Sequence, residues 1–153
     1  WLLDFLMTLP VILIALSVHE LMHGYAAYWL GDSTAKYMGR LSMNPLHHID
    51  PIGFIALVFF HIGWAKPVQV NARYYKNPKW GMALVALAGP LSNIILALIM
   101  LLINNVLLVT GLVESAIIEQ LYYFLFYIAT ISISLAVFNI SCTHSLKFKC
   151  YCV

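Results

Sequence analysis

The chain has 153 residues, of which 63% are hydrophobic and only 9% charged, with a formal net charge of +2, whereas soluble domains carry roughly a quarter charged residues. A soluble domain this small cannot hide so much apolar surface, because its surface-to-volume ratio is too high. A freely soluble enzyme, a disordered chain and a nucleic-acid binder are thereby excluded, and an integral membrane protein in contact with a lipid bilayer remains.

A bilayer crossing needs about 20 mostly apolar residues. In chain order, the stretches that meet this requirement run from Phe5 to Leu30, from Met82 to Thr110 and from Ala116 to Ile140. Between the first two lies a shorter apolar run, Ile52 to Trp64, predicted to be a re-entrant or interfacial segment. Thr34–Leu41 and Pro67–Ala72 have strand-like composition beside the turn signals Gly31-Asp32 and Asn77-Pro78, which predicts a small sheet at the membrane surface. Lys36, Arg40, Lys66, Arg73, Lys76 and Lys79 all fall between the first and second spans, and Lys147 and Lys149 follow the third. The positive-inside rule then puts residues 31–80 and the C-terminal end in the cytoplasm.

The predicted fold is an all-α polytopic membrane protein with about three transmembrane helices, the short segment and a minor β element at the cytoplasmic surface. One domain covers 1–140. Cys142, Cys150 and Cys152 cluster at one end and make no disulfide framework for the body. Nor does the beginning resemble a cleavable signal, since Trp1 replaces Met and no basic region precedes the apolar stretch. It reads as a fragment at that end.

The first span carries His19-Glu20-Leu21-Met22-His23, an H-E-x-x-H pattern. On a helix, positions i and i+4 share a face, so both imidazoles can reach one metal ion, with Glu20 one step round as general base. Zinc brings a coordinated water's pKa toward roughly 7, and a neighbouring carboxylate can take its proton and pass it to a leaving amine. Three ionisable groups inside an apolar span are expensive, at about 2.5–3.5 kcal/mol for a charged side chain at the helix centre. Intramembrane ionisable residues are functional by default.

From these residues outward the chain resembles the site-2 protease family of intramembrane zinc metalloproteases, in its short prokaryotic branch. The resemblance runs through Ser17-Val18-His19-Glu20 and His23-Gly24, Leu30-Gly31-Asp32-Ser33-Thr34-Ala35-Lys36, Gly39-Arg40-Leu41 and Asn44-Pro45-Leu46. It continues through His48-Ile49-Asp50-Pro51-Ile52-Gly53, Gly63-Trp64-Ala65-Lys66-Pro67-Val68 and Gly81 to Asn93. It implies cleavage of transmembrane protein substrates, a Zn2+ cofactor, and a multi-pass protein of the prokaryotic inner membrane with its active site toward the cytoplasm. By the same resemblance Asn139 contacts the substrate strand or the developing oxyanion. Asn93 is the second candidate substrate contact, against an alternative role in helix packing. His47, His48 and Asp50 are expected to be structural, as is His61.

The end of the chain departs from the family pattern. Phe138-Asn139-Ile140 resembles the start of the motif whose Leu-Asp-Gly supplies the third zinc ligand, yet no Asp follows. Residues 141–153 therefore read as an aberrant tail, compatible with a frameshift or truncation. A competing expectation is that Cys142 and His144, or Cys150 and Cys152, substitute as ligands. Two functions stay open: an intramembrane zinc metalloprotease, inactive if its third ligand is lost, or a non-catalytic membrane protein that keeps the fold and binds partner or substrate helices. A metal transporter is weaker, because it has no use for a general base.

Overall fold

The computed structural model describes residues 2–44, 50–60, 66–111, 113 and 115–145. Three long helices dominate: α1 (Leu2–Trp29), α4 (Pro78–Val109) and α5 (Ala116–Ser145), with two short ones between, α2 (Thr34–Tyr37) and α3 (Pro51–Phe60). The stretches long and apolar enough to cross a membrane are Met7–Trp29, Pro78–Val109 and Ala116–Ser141. They match the three predicted spans. α4 starts earlier than hydropathy suggests, because Asn77 caps it by accepting from Trp80 N and Pro78 occupies the first turn. The dipeptide read as a turn signal is a helix start, where Pro lacks only an N–H that would have no partner anyway.

α4 packs against both α1 and α5, and α1 also touches α5. The bundle is apolar outside and polar within. Leu, Ile, Val and Phe side chains of α4 and α5 are widely exposed, whereas Ser17, His19, Glu20, Ser92, Asn93, Asn104, Ser132 and Asn139 are buried. Lipid removes any hydrophobic gain from burying one apolar helix against another, so close packing of small residues and polar contacts hold such a bundle together. Gly81, Gly89, Ser92 and Ala97 lie on the buried side of α4, and Ala129, Ser132 and Ala136 on that of α5. Hydroxyls that face away from the core return to their own helix: Thr130 Oγ1 donates to Phe126 O and Ser134 Oγ to Thr130 O.

The predicted β element is not found among the described residues. Thr34–Leu41 begins as the helical turn α2, because the Asp32 carboxylate accepts from Thr34 N (2.9 Å) and starts the turn. Pro67–Ala72 is without regular structure up to a 3-10 turn at Ala72–Tyr74. Two of its N–H groups are spent on carboxylates, Val68 N on Glu20 and Asn71 N on Asp32, instead of on a neighbouring strand. α3 has ten residues, about 15 Å at 1.5 Å per residue, half of a hydrocarbon core. Asp50 caps it, accepting from Ile52 N and Gly53 N, which is the structural role expected of that residue. His47, His48, His61 and the end of the short segment at Trp64 lie outside the described residues. α5 continues to Ser145, past the boundary drawn at 140; the side chains of Cys142 and His144 and all of Cys150 and Cys152 also lie outside the described residues.

Beneath the bundle's cationic end, Tyr75 packs with Ala27 and Val85. Its ring lies flat on Gly81, where an added Cβ would fall 2.5–2.9 Å from Tyr75 Cδ2, Cγ and Cβ. Burial, and then the nearby Asp32 charge, push the Tyr75 hydroxyl up to about 12, so it stays protonated. A Gly81→Ala substitution must therefore displace the ring. It is expected to destabilise the protein by roughly 1–3 kcal/mol, the usual cost of overpacking, read as a lower thermal midpoint in detergent.

Candidate metal centre

Helix α1 brings His19, Glu20 and His23 to one face, where one donor atom from each lies within 4.8 Å of the others. Among the described residues no further His, Cys, Asp or Glu joins them. His19 and Glu20 are 1% and 2% exposed. The two imidazoles meet edge to face, with centroids 4.7 Å apart and planes at 82°. Such a pair is set by the i, i+4 spacing; what aims it comes from α4.

His23 Nδ1 donates to the Val85 carbonyl at 2.6 Å. That bond fixes the proton on Nδ1 and leaves the Nε2 lone pair available. His19 Nδ1 lies 3.2 Å from Asn93 Nδ2. Only with the carboxamide turned over, so that Oδ1 takes the place of Nδ2, does His19 carry its proton on Nδ1 as His23 does. Asn93 Oδ1 is buried and otherwise has no partner, as is His19 Nε2. Metal-ligating histidines usually donate their second ring N–H to a carbonyl or carboxylate, which fixes tautomer and orientation. His23 has such a carbonyl from the Val85 backbone, and His19 has the Asn93 carboxamide beside its Nδ1.

Gly89 supplies the space. A Cβ at that position would collide with His23 Nε2 and would fall 2.6 Å from His23 Cε1 and 2.7 Å from His19 Nε2. Hydrogen in place of a side chain thus keeps open the volume in front of both nitrogens. Pro90 follows and has no N–H to offer the preceding turn, while Ser92 Oγ donates to the Gly89 carbonyl at 2.6 Å. Two imidazole nitrogens, one of them buried and orphaned, facing a volume that a methyl group would fill, fit a zinc ion. The third side of the cluster is the Glu20 carboxylate, whose Oε2 accepts from Val68 N at 3.1 Å.

The sequence-predicted residues divide accordingly. His19, Glu20 and His23 come together. Asn93 joins them through His19. Asn139 is buried on α5, and its Nδ2 donates to Leu135 O one turn back at 2.9 Å. Gly89, Val85 and Val68 were not singled out as site residues. Gly89-Pro90 stood in the resemblance, but a backbone carbonyl and a backbone N–H leave no trace in residue type.

The family profile of peptidase family M50 matches residues 7–117, a stretch that contains the three clustered side chains and all of α4. The chain belongs to this family, the site-2 proteases, whose members are zinc-dependent membrane-embedded metallopeptidases. The curated relatives bear the description putative zinc metalloprotease. YwhC of Bacillus subtilis is 48% identical over 88 residues, 58% of this chain and 40% of its own length. Rip2 of Mycolicibacterium smegmatis is 29% identical over 101 residues, 63% of this chain and 39% of its own. Rip2 of Mycobacterium tuberculosis is 29% identical over 108 residues, 67% of this chain and 41% of its own. The matches thus span about two fifths of these relatives. No solved structure matches the chain.

Replacement of Gly89 by Ala is expected to abolish zinc binding while leaving helicity unchanged, and Asn93→Ala to weaken it roughly 10–100-fold, as loss of such supporting hydrogen bonds does. Metal analysis and competition with a chromogenic chelator measure both. Equal zinc affinity in all three proteins would show that α4 does not shape the site.

Proposed function

We propose that the chain is the catalytic portion of an intramembrane zinc metalloprotease, with His19 and His23 as metal ligands and Glu20 as general base. The observation that carries this reading is the pair of imidazole Nε2 atoms facing the space above Gly89, beside a buried carboxylate, inside an apolar bundle. Zinc, when bound, supplies a Lewis acid and lowers the pKa of water toward neutrality. The protein does the rest. Val85 holds the His23 ring in the ligating tautomer, and the Asn93 carboxamide does the same for His19 once its oxygen faces Nδ1. Glu20 takes a proton from the attacking water and delivers it to the leaving amine nitrogen, general acid–base work worth about 10²–10⁴-fold. Val68 N–H keeps that carboxylate aimed by occupying one of its oxygens.

The substrate class is a transmembrane segment. A helix hides its carbonyls in its own hydrogen bonds, so the segment has to unwind at the scissile bond. Water reaches the site from the side of the basic residues 31–80, the cytoplasmic side by the positive-inside rule. Asn139 gives one of its two Nδ2 hydrogens to the Leu135 carbonyl and keeps the other for a substrate or oxyanion contact.

A second reading is supported by the absence, among the described residues, of a third acidic or thiol ligand in the cluster, where catalytic zinc usually has three. In that case the chain keeps the fold and binds helices without cutting them. A reporter with a single transmembrane segment, reconstituted with the protein in vesicles, separates the two. Glu20→Gln is expected to retain zinc and lose cleavage by 10²-fold or more. Cleavage that survives this substitution overturns the mechanism; zinc binding without any wild-type cleavage favours the non-catalytic reading.

A further inference from the structure

The Asp32 carboxylate lies beyond the end of α1 and is completely buried. Its placement follows from how α1 stops. Gly31 adopts φ +103°, a conformation glycine alone takes without strain, and the two N–H groups that follow the helix turn back into it: Gly31 N to Tyr28 O and Asp32 N to Ala27 O. This pair of bonds is the Schellman arrangement, and it directs the Asp32 side chain inward. There Oδ1 accepts from Thr34 N (2.9 Å) and Thr34 Oγ1 (2.5 Å), and Oδ2 accepts from Asn71 N (2.5 Å).

Asn71 ends the segment that begins at Lys66. Three residues earlier, Val68 N donates to Glu20 Oε2, and the Val68 side chain is buried near Gly24, one turn beyond Glu20 on α1. The segment has no strand beside it among the described residues. Its backbone is tied down at two carboxylates of α1 and its following loop, 12 residues apart in sequence. At the Asn71 end the side chain also closes the 3-10 turn by accepting from Arg73 N at 3.1 Å.

We propose that Asp32 is a positioning residue for Glu20: by clamping Asn71 N–H it fixes the 66–71 segment so that Val68 N–H meets the Glu20 carboxylate. Asp32 does not touch the reacting atoms. It acts through three residues of backbone, about 10 Å at the 3.3 Å per residue of extended chain. The catalytic consequence rests on Glu20 being the base; the clamp itself does not.

Two readouts keep these separate. In protein labelled with 15N at Val and Asn and held in detergent micelles, the Val68 amide resonance, assigned by its loss in Val68→Ile, reports on the contact with Glu20. Glu20→Gln is expected to shift it directly. Asp32→Asn, which is isosteric but cannot accept from both Thr34 and Asn71, is expected to shift the Asn71 and Val68 amides together and to speed Val68 hydrogen exchange at least tenfold. Thr34→Ala removes one bond to Oδ1 but leaves Asn71 clamped, and is expected to leave Val68 unchanged. In the cleavage assay Asp32→Asn is expected to lower kcat about tenfold with KM within twofold and zinc content unchanged. A Val68 amide that ignores Asp32→Asn overturns the proposal, whether or not the chain cleaves anything. A shift of that amide without an effect on kcat retains the clamp and removes its catalytic consequence, and a wild type that never cleaves counts against the protease reading alone. Should Asp32→Asn fail to fold, exchange in the wild type decides: rapid exchange at Val68 and Asn71 overturns the clamp.

Discussion

The close approach of α4 to α1 at Gly89 is the constraint on which the site depends. Two histidines one turn apart on α1 are only adjacent; they become a candidate pair of ligands when their outer nitrogens are held and their inner nitrogens meet the glycine of α4. α4 does both from neighbouring positions, with Val85 and Asn93 reaching the outer nitrogens and Gly89 standing where a side chain would fill the space. Such proximity is available only because α4 presents a glycine to the two rings. In lipid it is also the contact that holds helices together, since apolar side chains gain nothing by leaving the acyl chains for one another. Stability of the bundle and geometry of the site therefore come from the same packing.

A polar interior wrapped in an apolar surface raises the question of where each buried polar group finds a partner, because an unpaired one is costly away from water. Ser92 and Asn139 are answered within their own helices, His19 and Asn93 by each other across the α1–α4 interface, and Asn104 by Tyr122 O of α5. Glu20 is answered from outside the bundle, by a backbone N–H of the 66–71 segment, and Asp32 by another N–H of the same segment. This explains why a segment of strand-like composition makes no strand. Its donors are committed to carboxylates, and carboxylates accept hydrogen bonds more strongly than neutral carbonyls. The 66–71 segment is thus part of the site's architecture, not a loop laid over it.

Membership of peptidase family M50 agrees with this picture and gives zinc as the family's metal. The chain's own donor set, two imidazoles and a hydrogen-bonded carboxylate, is what a general base beside a metal needs. Fewer protein ligands than the usual three are assembled among the described residues, and that is where protease and non-catalytic relative part.

The three spans were legible in the residues because length and hydropathy are properties of a segment taken alone. The H-E-x-x-H pattern was legible because the helix repeat alone brings i and i+4 to one face. Gly31 and Asp32 could be read as a helix stop, yet not as a clamp on residue 71, 39 positions away. Asn93 was visible as a polar residue in an apolar span, but its partner was not. The role of Val85 was invisible, since any residue could supply that carbonyl. Amino-acid sequence by itself determined the membrane class, the spans and the identity of the three clustered side chains, all consequences of local chemistry. Tertiary structure alone decided which nitrogen of each histidine is held, that a glycine meets both rings and what steadies Glu20, because those depend on groups brought together from distant parts of the chain.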